Sequence, residues 1–151
     1  MTTIERLWEG LELPLADALH FADGHSYAVA LDPTAPSGFS VLSRLDLDEM
    51  REEDPSSVSS VSSVSLVSSV DGRAVVDLGE EGLLWGGEGS YGSEGFLARL
   101  TAGRKLIWAM FFTESNPFER IRLSGSVATF RSTSGVAITV DIDDPRTPPH
   151  P

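Results

Sequence analysis

Cysteine is absent from this chain of 151 residues. Its absence excludes disulfides, thiolate catalysis and cysteine-ligated zinc or iron–sulfur centres, and leaves packing as the source of stability. Cations are scarce: 11 Lys and Arg stand against 23 Asp and Glu, a formal net charge of −12. Non-specific nucleic-acid binding rests on Lys and Arg neutralising phosphates, so that class is excluded and basic or neutral partners are favoured. Apolar runs are short, none approaching the roughly 20 residues needed to cross a bilayer, which excludes a helical membrane span. The opening MTTIERLWEG has neither a basic start nor an apolar stretch of about 7 to 15 residues. The sequence therefore predicts no secretory signal and a cytoplasmic protein. Long helical periodicity is missing too: no helix of about ten or more residues separates consecutive strands, which disfavours a doubly wound nucleotide-binding fold.

What is present suits one globular domain over residues 1–151, with 40% apolar and 23% charged residues. A chain of this length buries roughly two-thirds of the surface its unfolded form exposes. The charge is uneven. Residues 1–81 hold 16 acids and 4 bases, and residues 82–151 hold 7 of each, so the whole imbalance lies in the first half.

Period-two alternation dominates after His25. Tyr27, Val29 and Leu31 share one face of a strand, and a second short strand runs from Phe39 to Leu42. The last Ser/Val triplets enter a strand, Asp71-Gly72 signals a hairpin turn, and Ala74, Val76 and Leu78 alternate after it. Residues 95–100 and 104–112 form a hairpin whose returning strand is apolar on both faces and therefore central. Three strands follow, Phe118 to Leu123, Val127 to Arg131 and Val136 to Ile142. Before His25 the pattern predicts only helical turns, one capped by Thr2 or Thr3 through Ile4, Leu7 and Trp8, and one opened by Pro14 through Leu15, Ala18 and Leu19. The expected fold is all-β: an antiparallel sandwich or partly open barrel of about eight short strands, with a β-rich α+β fold as the alternative. Two segments interrupt it. Residues 56–70 are five triplets with Val at every third position, which reads as an extended, solvated linker, and the Pro-rich tail at 143–151 should fray.

Several motifs invite chemistry. GEGSYG places Gly87, Gly89 and Gly92 in a G-x-G-x-x-G spacing, but a strand rather than a helix follows, so a dinucleotide site fails. Followed by two strands over residues 87–112, it resembles the glycine-rich loop of protein kinases. That resemblance implies a phosphate-holding Lys inside the returning strand, where Lys105 sits only at the start, and no H-R-D or D-F-G segment follows. Glu88 occupies the first glycine position of a serine-hydrolase elbow around Ser90. His20, Asp23 and His25 form H-x-x-D-x-H, whose residue types suit a divalent ion but whose spacing crosses a turn, so no metal is assigned. Arg51 stands where a calcium loop beginning at Asp46 needs Gly. No cofactor is implied.

No complete catalytic constellation is visible, so the sequence points to a non-enzymatic module presenting an acidic surface to a basic protein partner. The densest charge is DLDEMREED, and its Asp46, Asp48, Glu49, Glu52, Glu53 and Asp54 are the candidate partner-binding residues. In size, acidity and β content the chain resembles small bacterial immunity proteins, and the resemblance implies toxin neutralisation. The alternative is a small-ligand-binding β domain or small enzyme using the Gly-rich loop 86–95, with Tyr91, Arg99 and His25 as ligand-binding candidates. Oligomeric state is left open.

Overall fold

The computed structural model describes residues 1–47 and 67–146. The protein is an all-β sandwich of open antiparallel sheets, with twelve strands and one short helix among the described residues. Its central layer is a seven-stranded sheet. The first edge holds β2 (Ala18–Phe21), β3 (Ser26–Leu31) and β4 (Phe39–Leu45); the second holds β6 (Asp71–Asp77), β7 (Leu83–Glu88), β8 (Gly95–Leu100) and β9 (Leu106–Phe112). Their spatial order is β4-β3-β2-β9-β8-β7-β6. A three-stranded sheet of β10 (Phe118–Ser124), β11 (Val127–Ser132) and β12 (Ala137–Asp141) covers one face. Helix α1 (Thr3–Glu9) and the ribbon of β1 (Glu12–Pro14) with β5 (Val67–Ser69) cover the other.

Two apolar clusters follow from these layers. Strand β9 contributes to both, as its two apolar faces require: Trp108, Met110 and Phe112 pack toward Phe118, Phe130, Ile138 and Val140 of the three-stranded sheet. Its Leu106, Ala109 and Phe111 pack toward Ile4, Trp8 and Leu13. Period-two alternation sorts the residues from Trp108 onward, and the register shift opposite Arg99 and Leu100 sends Leu106 to the second layer.

The N-terminal turn forms where the capping signal places it. Thr2 and Glu5 make a reciprocal capping box, and Ile4 and Trp8, four apart, turn one stripe inward. The second expected turn does not form. Leu11 reverses the chain with a positive φ of 55°, Leu13 is buried, and Pro14 lies in the edge of a ribbon, so residues 12–21 become two strands instead. Asp71-Gly72 is likewise no hairpin turn. It opens β6, with Asp71 opposite Glu88, and the Trp85 indole occupies the space a Cβ on Gly72 would need. The glycine serves close packing there. The strand expected over residues 39–42 extends to Leu45. Of the Ser/Val tract, residues 56–66 lie outside the described residues. Its last described residues enter a strand as expected, β5, with Ser68 and Val70 buried rather than solvated.

Of the tail, residues 147–151 lie outside the described residues, and the stretch from Asp143 to Arg146 is held by side-chain contacts. Trp108 Nε1 and Arg99 Nη1 both donate to the Ile142 carbonyl, at 3.0 and 2.9 Å, and Arg99 also meets Asp143 Oδ1 at 2.7 Å. Pro145 is buried, and the Arg146 guanidinium lies over the rings of Phe21 and Tyr27 while donating to the Tyr27 hydroxyl.

The helical layer hangs on Phe96, fully buried with its ring 6.1 Å from Trp8 and 5.4 Å from Trp85. Phe96→Ala should lower unfolding free energy by about 3–5 kcal/mol in urea titrations and shift tryptophan emission. A loss below about 1 kcal/mol would mean that this face of the sheet is not packed.

Candidate functional site

The Gly-rich segment is a fastened connection. Gly86, Gly87 and Glu88 belong to β7, and only residues 89–94 form the turn into β8. Ser68 of β5 donates to the buried Glu94 carboxylate at 3.0 Å. The backbone N–H of Ser90 donates to Ser68 Oγ at 2.9 Å, and that of Tyr91 donates to Glu94 Oε1 at 3.3 Å. A phosphate cradle needs free backbone donors aimed at one point. Here the Ser90 and Tyr91 donors are taken up by Ser68 and by the Glu94 carboxylate inside the turn. Any side chain on Gly89 would collide with Glu94 and Ser68, which explains that glycine without a ligand.

Tyr91, Arg99 and His25 are not brought together. Tyr91 is exposed on the turn at the end of the sheet where Gly95 pairs with Phe112. His25 lies in the β2–β3 turn, at the end where Phe21 pairs with Trp108. These ends are opposite. Arg99 faces the three-stranded sheet, mostly buried, with its Nη1 committed to Ile142 and Asp143. It is a structural clamp on the end of the last strand.

The metal-like triplet separates in the same way. His20 points into the core, whereas Asp23 and His25 are exposed and pair at 2.8 Å. The backbone N–H and imidazole of His25 hold the Asp23 carboxyl below the usual carboxylate range. Among the described residues no three His, Asp or Glu side chains are grouped to hold a metal ion. A cavity of about 380 Å³ lies beside this turn, lined by Thr2, Arg6, Asp23, His25, Arg44 and Asp46 among others. Its cations and acids largely balance. Of the candidate partner-binding residues, Asp46 is exposed on its rim, while Asp48, Glu49, Glu52, Glu53 and Asp54 lie outside the described residues.

One pair that sequence reasoning missed has the distance of a nucleophile and its base. Ser26 Oγ and His20 Nδ1 are 2.8 Å apart, joined across the β2–β3 pairing in which these residues stand opposite each other. Catalysis requires access, a proton-accepting imidazole and a group that orients it. Both side chains are fully buried, and His20 Nε2 has no hydrogen-bond partner. Burial pushes the imidazole down to about 4, so it is a weak base. The only sequence signal for this pair was register, since six residues separate the two across a turn.

The described acids form a second charged region. Asp71 and Asp77 on the edge strand β6, with Glu80 and Glu81 in the following 3₁₀ turn, are exposed and join no ion pair among the described residues. Val75, 62% exposed, stands between the two aspartates on the same strand.

This architecture defines an antiparallel sandwich with a helix and ribbon as its third layer. No family model, curated protein or solved structure matches the chain.

Buried His20 makes stability pH-dependent. The unfolded chain takes up a proton near the ordinary imidazole value of 6.5, and the folded chain only near 4. The folded state is therefore undisturbed by this group above about pH 6.5 and loses stability as pH falls toward 4, by about 3 kcal/mol in total. His20→Gln removes this proton uptake and cancels effects common to both chains. Chemical denaturation at several pH values should show the difference between parent and variant changing by about that amount, and parallel curves would contradict it.

Proposed function

We propose that the protein is a non-enzymatic binding module that presents acidic surface to a basic protein partner. The observation that supports this most is the rim of Asp71, Asp77, Glu80 and Glu81, exposed and without ion-pair partners among the described residues. Acids left unpaired in a chain of net charge −12 repel one another, and an approaching cationic surface relieves that repulsion. Exposed Val75 supplies an apolar contact inside the rim, which matters because exposed ion pairs contribute only about 0.2–1 kcal/mol each. β6 is also the last strand of its sheet, with no strand hydrogen-bonded beyond it among the described residues.

The acidic run over residues 46–54 adds to the same field and steers encounter. A cationic toxin neutralised by such a surface is the partner that resemblance to immunity proteins implies. The catalytic alternative lacks support, because the Gly-rich turn is filled by Glu94 and its named ligand candidates do not converge.

Two variants separate steering from docking. Asp48→Asn, Glu49→Gln, Glu52→Gln and Glu53→Gln together should slow association with a basic protein recovered on the tagged chain from its native cells by about tenfold or more at low salt, and reduce its salt dependence. Asp77→Asn with Val75→Ser should speed dissociation. Thermal stability should stay nearly unchanged in both, as expected for surface positions. Unchanged rates in both variants would refute the proposal.

A further inference from the structure

Three arginines stand together on the outer face of the three-stranded sheet. Ala128, Phe130, Ile138 and Val140 of this sheet point inward to the core, so alternation sends Thr129, Arg131 and Thr139 outward. On β10 the outward positions are Arg120 and Arg122, after a bulge beyond Phe118. Register places Arg120 directly opposite Arg131, and Arg122 opposite Thr129. Directly opposed residues have Cβ atoms about 4.5–5.5 Å apart, and neighbours two along a strand are about 7 Å apart. The three guanidinium groups therefore share one small area. They line a concavity of about 540 Å³ together with Ile121 and Thr129, whose hydroxyl is 3.0 Å from that of Thr139.

No ion pair among the described residues engages them. The ion pairs of the described residues use His25, Arg73, Arg99 and Arg146, and exposed Glu119 beside Arg120 joins none of the three arginines. Like charges directly opposed across two strands destabilise a sheet. A chain with 23 acids and only 11 Lys and Arg nevertheless sets three cations side by side, and Glu119, in the bulge beside Arg120, forms no ion pair with any of them. That arrangement is explained by an anion supplied from outside.

We propose that this face binds a small ligand carrying two or more adjacent phosphate groups. Planar guanidinium forks match phosphate oxygens bidentately, and three of them suit several charges in close succession. The concavity falls within the range of small-molecule sites. An acidic protein segment fits less well, because Ile121, the one apolar residue of the lining, packs against the core and a protein interface needs an apolar anchor. A long nucleic acid is opposed by the net charge. The site lies in the charge-balanced half of the chain and does not rest on the acidic-surface reading.

Isothermal titration with inorganic tripolyphosphate at low salt tests the proposal on the whole chain. The parent should bind and melt at a higher temperature when it does. Arg131→Gln should weaken binding about tenfold or more, and Arg120→Gln, Arg122→Gln and Arg131→Gln together should abolish it. Lys105→Gln, the same charge change in the exposed β8–β9 turn, should bind as the parent does. Without ligand, Arg131→Gln should melt about 1–4 °C higher, since it removes the opposed pair. Absent binding by the parent, equal binding by the triple variant, or a lower melting temperature of free Arg131→Gln would overturn the site. Tighter binding of a synthetic DLDEMREED peptide than of tripolyphosphate at these arginines would overturn it in favour of an acidic protein segment.

Discussion

Burial of β9 on both faces is the constraint from which the other layers follow. A strand carrying Trp108, Met110 and Phe112 on one side and Ala109 and Phe111 on the other cannot leave either side to water. Fully burying one large apolar side chain contributes about 1.5–3 kcal/mol, so two covering layers are favoured over one. The three-stranded sheet supplies the first. The second is built from a seven-residue helix and a two-stranded ribbon, neither of which is long enough to be stable alone. Their stability comes from the sheet they cover.

Polar contacts then fasten the ends of these layers. Glu94 and Ser68 tie the β7–β8 turn to β5, and a buried carboxylate in that position is tolerated because a hydroxyl and a backbone N–H donate to it. At the other end the Ile142 carbonyl accepts from both Trp108 and Arg99, so the last strand is pinned to the centre of the large sheet. Among the described residues two buried nitrogens, Arg99 Nε and His20 Nε2, are left without partners, and His20 is the one that titrates. Its Nε2 is buried without a partner, a cost borne by the fold and felt as acid sensitivity.

Charge is distributed by a different rule from packing. Asp71, Asp77, Glu80 and Glu81 lie on an edge strand and the turn after it, where solvation is cheap, while the outer face of the three-stranded sheet carries three arginines that join no ion pair among the described residues. The two proposals draw on these two regions, one for a cationic protein and one for a phosphate-rich ligand.

Periodicity and capping chemistry sufficed for much of the architecture. The all-β class, the central position of residues 104–112, the hairpin before it, the three last strands and the Thr2 cap could all be read locally, because each depends on the spacing of neighbours along the chain. Residues 12–21 could not, since the ribbon and β2 owe their extended form to partners that arrive from Val67–Ser69 and β9. Glycines were ambiguous for the same reason: Gly72 and Gly89 look like turn or phosphate-loop residues in sequence, and only the Trp85 ring and the Glu94 carboxylate beside them reveal close packing. Net acidity and the lack of cysteine were properties of the sequence alone. Whether Tyr91, Arg99 and His25 meet, whether His20 faces Ser26, and whether three arginines share one face were decided only by register. A one-residue slip would send every side chain of a strand to the opposite layer, and register is set by contacts between distant segments.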